Sequence, residues 1–443
     1  MSNRALWDVR KRHVWLATPL KRTPMKRRER LRNGLQDALD RTSKLTIICL
    51  SGVPTAGTSS SRIPRASYRV QLHAGFTFDD ATAIVPYLAE LGISHLYTSP
   101  VLQAVPGSTH GYDVVDHSRV SEELGGLAGF ERLTDALRAH GMGLVLDIVP
   151  NHMAISTADN RWWWDLLAHG PASRYAHFFD VDWDPPESRL RNVILLPVLP
   201  DHYGRVLEAG EIRLARRGGA VTVRHGDREL PLDPRTVGAL VAEAAPGAGS
   251  DELAFIGSAL DELPPSTSAD AEQVARRQRD AEVLAARLDE LASEPAVAAA
   301  LDAVVGARNA DVDALDALLE EQNYRLAFWR AASRDLGYRR FFDIDELIGL
   351  RMEDESVFAE THALILRWVA EGRVDGLRID HPDGLRDPAG YFARLRASAP
   401  DAWIVAEKIL EADEPLPEDW PIDGTTGYRF ANLATGLQVD PNG

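Results

Sequence analysis

Hydrophobic and polar positions fall into a regular rhythm from Ser67 onward. Residues 67–73 read as a strand. In 80–91, Ala81, Ile84, Val85 and Leu88 recur at helical spacing, and Gly92 is a stop signal. A second strand follows at 93–99, a helix at 130–140 closed by Gly141, and a nearly all-apolar third strand, GLVLDIV, at 143–149. A strand this apolar is covered on both faces, which predicts a parallel sheet. The rhythm then breaks. Residues 155–325 hold loops, a hairpin signal at 211–232 around Gly218–Gly219, and an Ala/Glu/Arg/Leu-rich helical stretch at 270–318 whose charged face reads as solvated. It resumes with Val357, Leu364, Ile365, Trp368 and Val369 on one helix face, a strand at 374–380, a helix at 388–396, a strand at 403–408 and the start of another at 421–428. Strand–helix alternation places the chain in the α/β class. The prediction is a (β/α)8 TIM-type barrel, incomplete at the C-terminus, six strands being legible where eight are needed, with a large, mostly helical insertion at about 155–340 after the third strand.

Composition adds a boundary. The chain has 443 residues, Lys+Arg 49 and Asp+Glu 66, net −17. Residues 1–65 alone hold 15 basic and 4 acidic residues. Residues 1–66 therefore read as a basic, solvated, partly disordered extension ahead of a catalytic body at 67–443. The apolar run 45–50 is too short and too far from the start to be a signal-peptide core. A body this acidic speaks against nucleic acid and anionic membrane as partners and suits a neutral substrate. The lone Cys49 can form no internal disulfide and excludes a Cys-based zinc site, which points to a reducing compartment, the cytoplasm. No apolar run reaches membrane-spanning length. No phosphate-binding Gly loop or HExxH is present, so neither cofactor nor metal is expected.

Candidate chemistry gathers where the apolar strands end. Asp147, Asn151 and His152 close the third strand, Arg378, Asp380 and His381 the fourth, Glu407 and Lys408 the fifth. In parallel barrels those strand ends form the active-site rim. Carboxylates delivered there by three consecutive units are costly as packing, although an Arg378–Asp147 ion pair would be a purely structural use of two of them. Asp380 and Glu407 are 27 residues apart, one strand–helix–strand unit, and so should face each other across a cleft. Two facing carboxylates suit glycoside chemistry, one as nucleophile and one as acid/base, with retention if they stand about 5–5.5 Å apart. Arg378 shares a strand face with Asp380 and is expected to keep it ionised. Val405, Ala406 and Ile409 set Glu407 among apolar neighbours, the setting of a general acid.

DIVPNH (147–152), DGLRID (375–380) and VAEK (405–408) resemble the first three conserved regions of the α-amylase superfamily of glycoside hydrolases. A narrower match is carried by SYRVQLHAGFTF (67–78), SPVLQAVPGSTHGYDVVD (99–116), NRWWWDLLAHG (160–170), YAHFFDVDW (175–183), GYRRFFDIDELIGLRME (337–353), DGLRIDHPDGLRDPAGY (375–391), EKIL (407–410) and GTTGY (424–428). In that order they resemble the maltooligosyl trehalose synthase family. The resemblance implies an isomerase, a (1→4)-α-D-glucan 1-α-D-glucosylmutase, which turns the reducing-end α-1,4 bond of a maltooligosaccharide into an α,α-1,1 bond. The implied course is intramolecular transglycosylation, with Asp380 as nucleophile and Glu407 as acid and then base. The freed glucose must stay trapped, because water at about 55 M competes with a held nucleophile whose effective molarity can reach about 10⁵–10⁸ M.

By the same matching, Tyr112 stacks on the sugar beside the cleaved bond. Asn151 and His152 are sugar and scaffold contacts. His110 and Asp113 bond sugar or Arg378, and His381 and Asp383 hold the leaving glucose, with Asp147 and Lys408 also in the binding set. Trp162–Trp164 are either cleft wall or core, since three adjacent Trp cannot all face one ligand. The superfamily's third acid, an Asp after the seventh strand, has no counterpart here, and Arg429 stands where an acid is more usual. The chain is therefore expected to represent an N-terminal part of the family, poorly stable and nearly inactive alone. An amylase-type hydrolase and a non-catalytic glycan-binding fragment are the alternatives. A trehalose-releasing hydrolase is the partner expected to act after this reaction.

Overall fold

A computed structural model describes residues 63–411 and 414–440, all within one compact unit, Ser61–Gly443. The basic extension expected at 1–66 lies, except for its last four residues, outside the described residues. Those last residues already belong to the body: the Arg65 and Ala66 amides both donate to Ser94 Oγ (2.9 and 3.1 Å).

The organising element is an all-parallel sheet of six strands in sequential order: β1 (Ser67–Val70), β2 (His95–Thr98), β3 (Gly143–Ile148), β4 (Gly376–Ile379), β5 (Trp403–Ala406) and β6 (Gly424–Thr425). The expected barrel strands are all present, each trimmed to its hydrogen-bonded core. The residues trimmed from the C-terminal ends are those that turn toward the rim. Helices α1 (Phe78–Glu90), α2 (Gly126–Ala139), α3 (Glu355–Ala370) and α4 (Pro388–Ser398) cover the outer face, and α5 (Tyr428–Gly436) follows β6.

Local sequence explains these boundaries. Thr77 and Asp80 form a reciprocal capping box at the start of α1. Asp354 caps α3, and Asp387 followed by Pro388 starts α4. The helices turn back to strands at Gly92 and Gly141, both at positive φ (88° and 67°), where a Cβ would be strained. Beneath the sheet Phe78 meets Phe130 edge to face at 5.8 Å, and Phe130 lies 4.2 Å from the fully buried Trp368. Each such ring contributes on the order of 2–3 kcal/mol by leaving water, which fastens α1, α2 and α3 to one core.

Between β3 and α3 lies the insertion. It holds a parallel pair (Ile194–Leu199 with Tyr324–Phe328), a three-stranded antiparallel sheet (Ile212–Arg217, Ala220–His225, Arg228–Pro231) and helices Pro234–Ala248, Asp251–Asp261, Ala271–Leu291, Pro295–Ala310 and Val312–Glu320. The hairpin signal and the helical stretch both materialise. The first two helices were not legible, because Gly238, Pro246, Gly247 and Gly257 interrupt their pattern. Ile344–Gly349 pairs antiparallel with His152–Ala154, immediately beyond β3. The far end of the insertion is thereby returned to the rim where β3 ends.

Candidate active site

Register decides which side chains meet. Arg378 on β4 lies abreast of Asp147 on β3 and of Val405 on β5. Period-2 alternation then sends Arg69, Tyr97, Asp147, Arg378 and Asp380 to the inner face, while Leu146, Leu377 and Ile404 pack under the helices. Asp380 and Glu407 stand one step past the ends of β4 and β5, with the Glu407 amide donating to the Ile379 carbonyl at 2.9 Å.

The centre of the site is the Arg378 guanidinium. Its Nη1 donates to Asp147 Oδ1 and to Asp380 Oδ1, both at 2.7 Å, and its Nη2 meets Glu407 Oε1 at 2.9 Å. Asp147 accepts at its other oxygen from Tyr112 Oη (2.6 Å) and Tyr97 Oη (2.9 Å). Arg69 in turn donates to Tyr112 Oη at 3.1 Å. The ion pair that could have been merely structural is therefore one arm of a network that also holds both candidate catalytic carboxylates.

Three carboxylates share one cation, and this overturns the expectation that Arg378 alone keeps Asp380 ionised. Burial pushes the Asp380 carboxyl up to about 8; Arg378 opposes this, and the Asp147 and Glu407 charges add to it. Burial likewise raises Asp147 despite Arg378. Burial works against the charge of Arg378 too, yet Asp147 and Asp380 hold it well above the ordinary arginine value. The apolar setting expected for Glu407 is also absent. Its Oε1 faces Arg378, its Oε2 accepts from the His381 amide at 3.1 Å, and Ile409 is 60% exposed.

The remaining residues separate into those at the network and those beside it. Tyr112 joins it through Asp147, and its ring lies 6.0 Å from the Arg378 guanidinium carbon. His110 and Asp113 do not reach Arg378: they lie 3.6 Å from each other, and Asp113 accepts from Ser108 Oγ at 2.5 Å. His152 is buried, with its Nε2 3.2 Å from the Tyr112 carbonyl and its ring 4.5 Å from Phe341, so it supports the wall. Asn151 is buried beside it and accepts from Arg339 at 2.6 Å. Asp383 pairs with Lys408 (3.1 Å), which also meets Glu414 (2.9 Å). His381 adopts a left-handed backbone, φ 41°, between Phe341 and Phe342. Trp163 is core, and Trp162 stacks between His117 and Tyr175.

Sequence reasoning passed over Arg69, Tyr97, Arg339 and Tyr428. The first two carry a usable signal, a lone polar side chain at an inward position of an otherwise covered strand. Tyr428 opens α5 within the field of the site: partial burial and the Glu407 charge raise its hydroxyl, against Arg378. Among the described residues no three His, Cys, Asp or Glu side chains are placed to hold a metal ion. No described helix is long and apolar enough to cross a membrane.

Residues 78–199 match the family model of the alpha amylase catalytic domain. Over 385 residues the chain is 40% identical to a putative maltooligosyl trehalose synthase of Mycobacterium tuberculosis, covering 85% of this chain and 39% of that protein. It is similar to the solved maltooligosyltrehalose synthase from Arthrobacter ramosus (37% identity, TM-score 0.62, 85% and 39% of the two chains). It is also similar to a structure titled DSM5389 glycosyltrehalose synthase (34%, TM-score 0.62, 85% and 42%). The chain thus spans about two fifths of the length of the relatives it matches.

Proposed function

We propose that this chain, a homologue of the maltooligosyl trehalose synthases, carries the catalytic acid/base pair of a glucan mutase acting on maltooligosaccharides. The observation that supports this most is the placement of Asp380 and Glu407 on the two arms of one guanidinium. A retaining exchange needs one carboxylate and one carboxylic acid facing each other at about 5–5.5 Å. A crowded, coupled pair shares a proton in that way. For turnover Glu407 must enter as the acid and Asp380 as the carboxylate.

Glu407 then protonates the oxygen of the last α-1,4 bond as Asp380 attacks the anomeric carbon. That C–O bond breaks, an ester forms and glucose leaves with its 4-hydroxyl restored. Glu407, now a carboxylate, takes the proton of the glucose 1-hydroxyl. That oxygen displaces Asp380 from the ester, which completes the α,α-1,1 bond with overall retention at the transferred unit. Tyr112 stacks on that sugar, with Asn151, His152, His110 and Asp113 behind it; His381, Asp383 and Lys408 border the leaving glucose.

In the same reading residues 67–443 carry the catalytic body and 1–62 are dispensable to it. The lone Cys49 and the acidic body suit the cytoplasm. A trehalose-releasing hydrolase consumes the product. The test is product analysis on maltopentaose. A product of equal mass without a reducing end supports the mutase. New reducing ends mean a hydrolase, and binding without turnover means a glycan-binding part. Deleting residues 1–62 should leave the melting temperature unchanged.

A further inference from the structure

We propose that Arg339, contributed by the insertion, is the positioning residue that aims Glu407. The proposal deepens the mutase reading and rests on it for what Glu407 does.

The Arg339 guanidinium uses its whole fork. Nη1 donates to Asn151 Oδ1 (2.6 Å) and to the Gly384 carbonyl (2.8 Å), Nη2 to the Leu350 carbonyl (2.7 Å), and Nε to Asp180 Oδ2 (2.9 Å). It lies flat on Gly349, where a Cβ would come within 2.5 Å of the guanidinium carbon. Its contacts therefore tie the insertion (Asp180, Leu350) to the end of β3 (Asn151) and to the turn after β4 (Gly384).

That turn, His381–Gly384, is closed by the Gly384 amide donating to the His381 carbonyl (3.1 Å). It is packed tightly enough that a Cβ on Gly384 would come within 2.5 Å of His381 Nδ1 and 2.6 Å of Asn151 Oδ1. At its head His381 is held at φ 41°, a conformation that costs a non-glycine residue on the order of 1 kcal/mol or more unless its surroundings fix it. This conformation points the His381 amide at Glu407 Oε2, 3.1 Å away. Arg378 holds one oxygen of Glu407 and the His381 amide holds the other. The carboxyl therefore has its rotation fixed from two sides, and the second side depends on the Arg339 fork. A lysine there would keep the charge and lose the fork.

The experiment has two readouts on the full chain. The first is free of turnover: the amide resonance of His381 is followed in a double-mutant cycle. Glu407→Gln should move that resonance in the wild-type background and leave it unmoved in Arg339→Lys and in Arg339→Ala. An equal displacement in all backgrounds overturns the proposal. Arg339→Lys keeps the test open if Arg339→Ala does not fold, and unchanged resonances of β1 and β2 certify the fold. The second readout separates acid catalysis from binding. An α-maltosyl fluoride needs no general acid, whereas maltopentaose does. Arg339→Lys should lower kcat on maltopentaose by about 10- to 100-fold, with KM and the rate on the fluoride nearly unchanged. Equal losses on both substrates mean that Arg339 is merely structural and overturn the proposal. Failure of the wild-type chain on both substrates is what a part without the third acid is expected to show, and the resonance cycle, which needs no turnover, then decides what Arg339 positions.

Discussion

Among the described residues two guanidinium groups are buried, and the fold treats them in opposite ways. In the insertion, Arg277 is fully buried and faces one carboxylate, Asp233, at 2.7 Å. Its other donors go to neutral acceptors, His169 Nδ1 (3.1 Å) and the Pro264 carbonyl (2.7 Å). Asp233 is satisfied in turn by Asn323 (3.1 Å) and by the Arg235 amide that it caps (2.9 Å). Charges balance one to one, and burial, with Arg277 acting in the same direction, holds His169 neutral, down to about 3. At the barrel rim, Arg378 faces three carboxylates, and burial together with the surplus negative charge raises the Asp380 carboxyl. Balanced burial holds a fold together, whereas imbalanced burial leaves a carboxyl ready to exchange a proton near neutral pH, which acid/base chemistry requires.

The strongest way to break this comparison is to neutralise the carboxylate in each cluster and follow turnover. Asp380→Asn removes the proposed nucleophile and should abolish whatever turnover the chain shows. Asp233→Asn should leave the rate per folded molecule unchanged. Maltopentaose turnover normalised to the folded fraction decides this, and a comparable fall in both would erase the distinction.

Stability should respond in the other order. Arg277→Met strands Asp233 in a buried site, and breaking a buried pair from one side costs about 3–5 kcal/mol. Denaturant unfolding should register that loss as a lower midpoint at unchanged slope. A cost below about 1 kcal/mol would mean that Asp233 finds water or another donor in place of Arg277.

These two clusters also mark what the sequence could and could not disclose. The rim was legible because parallel strands are short, apolar runs, so that Asp147, Arg378, Asp380 and Glu407 stand out at their ends, the last two at one-unit spacing. Strand order and the site followed from that rhythm. The charge balance was not legible, because it depends on how many carboxylates reach one guanidinium in three dimensions. Hence Arg378 was read as sufficient to ionise Asp380. The Arg277 cluster and the Arg339 fork were invisible for a simpler reason. Their partners lie far off in sequence, Asn151 being 188 residues from Arg339 and His169 108 from Arg277, and no local pattern pairs residues at such distances.

A smaller effect concerns the rim alone. The Asp380 carboxyl titrates near 8 in the folded chain against an ordinary 3.8. Below pH 4 it is protonated in folded and unfolded chains alike and costs nothing. As pH rises from about 4 to 8 the unfolded chain releases that proton and the folded chain retains it, so stability falls, and the full cost is reached above pH 8. Asp380→Asn should therefore be more stable than wild type at pH 8–9, by roughly 3 kcal/mol at 1.36 kcal/mol per pH unit after allowance for the lost Arg378 contact. Near pH 4 the gain should be gone and only the cost of the lost Arg378 contact should remain. Melting curves across that range test the sign: an Asp380→Asn chain less stable at pH 8 than at pH 4, relative to wild type, would contradict the raised carboxyl.

The smallest effect sharpens the same contrast with two hydroxyl deletions. Tyr324, in the insertion, is buried and donates to the Pro231 carbonyl at 2.9 Å. Tyr324→Phe leaves a neutral acceptor unsatisfied and should cost about 1 kcal/mol at every pH. Tyr97 donates to Asp147 Oδ2 at 2.9 Å, a carboxyl already raised by burial. Tyr97→Phe removes a donor that favours its charged form, so the folded chain should bind a proton at Asp147 more tightly still. At high pH, where Asp147 must be ionised, the cost should be about 1–2 kcal/mol. Below the ordinary carboxylate range, where Asp147 is protonated in both states, it should shrink toward zero. The measurement is the difference in unfolding free energy between each variant and wild type, taken at pH 4 and at pH 9. Parallel behaviour of the two variants would mean that Asp147 stays ionised throughout and that the rim is as balanced as the insertion. A cost that appears only at high pH in Tyr97→Phe, beside a flat one in Tyr324→Phe, would locate the excess charge on the strand that carries Asp147.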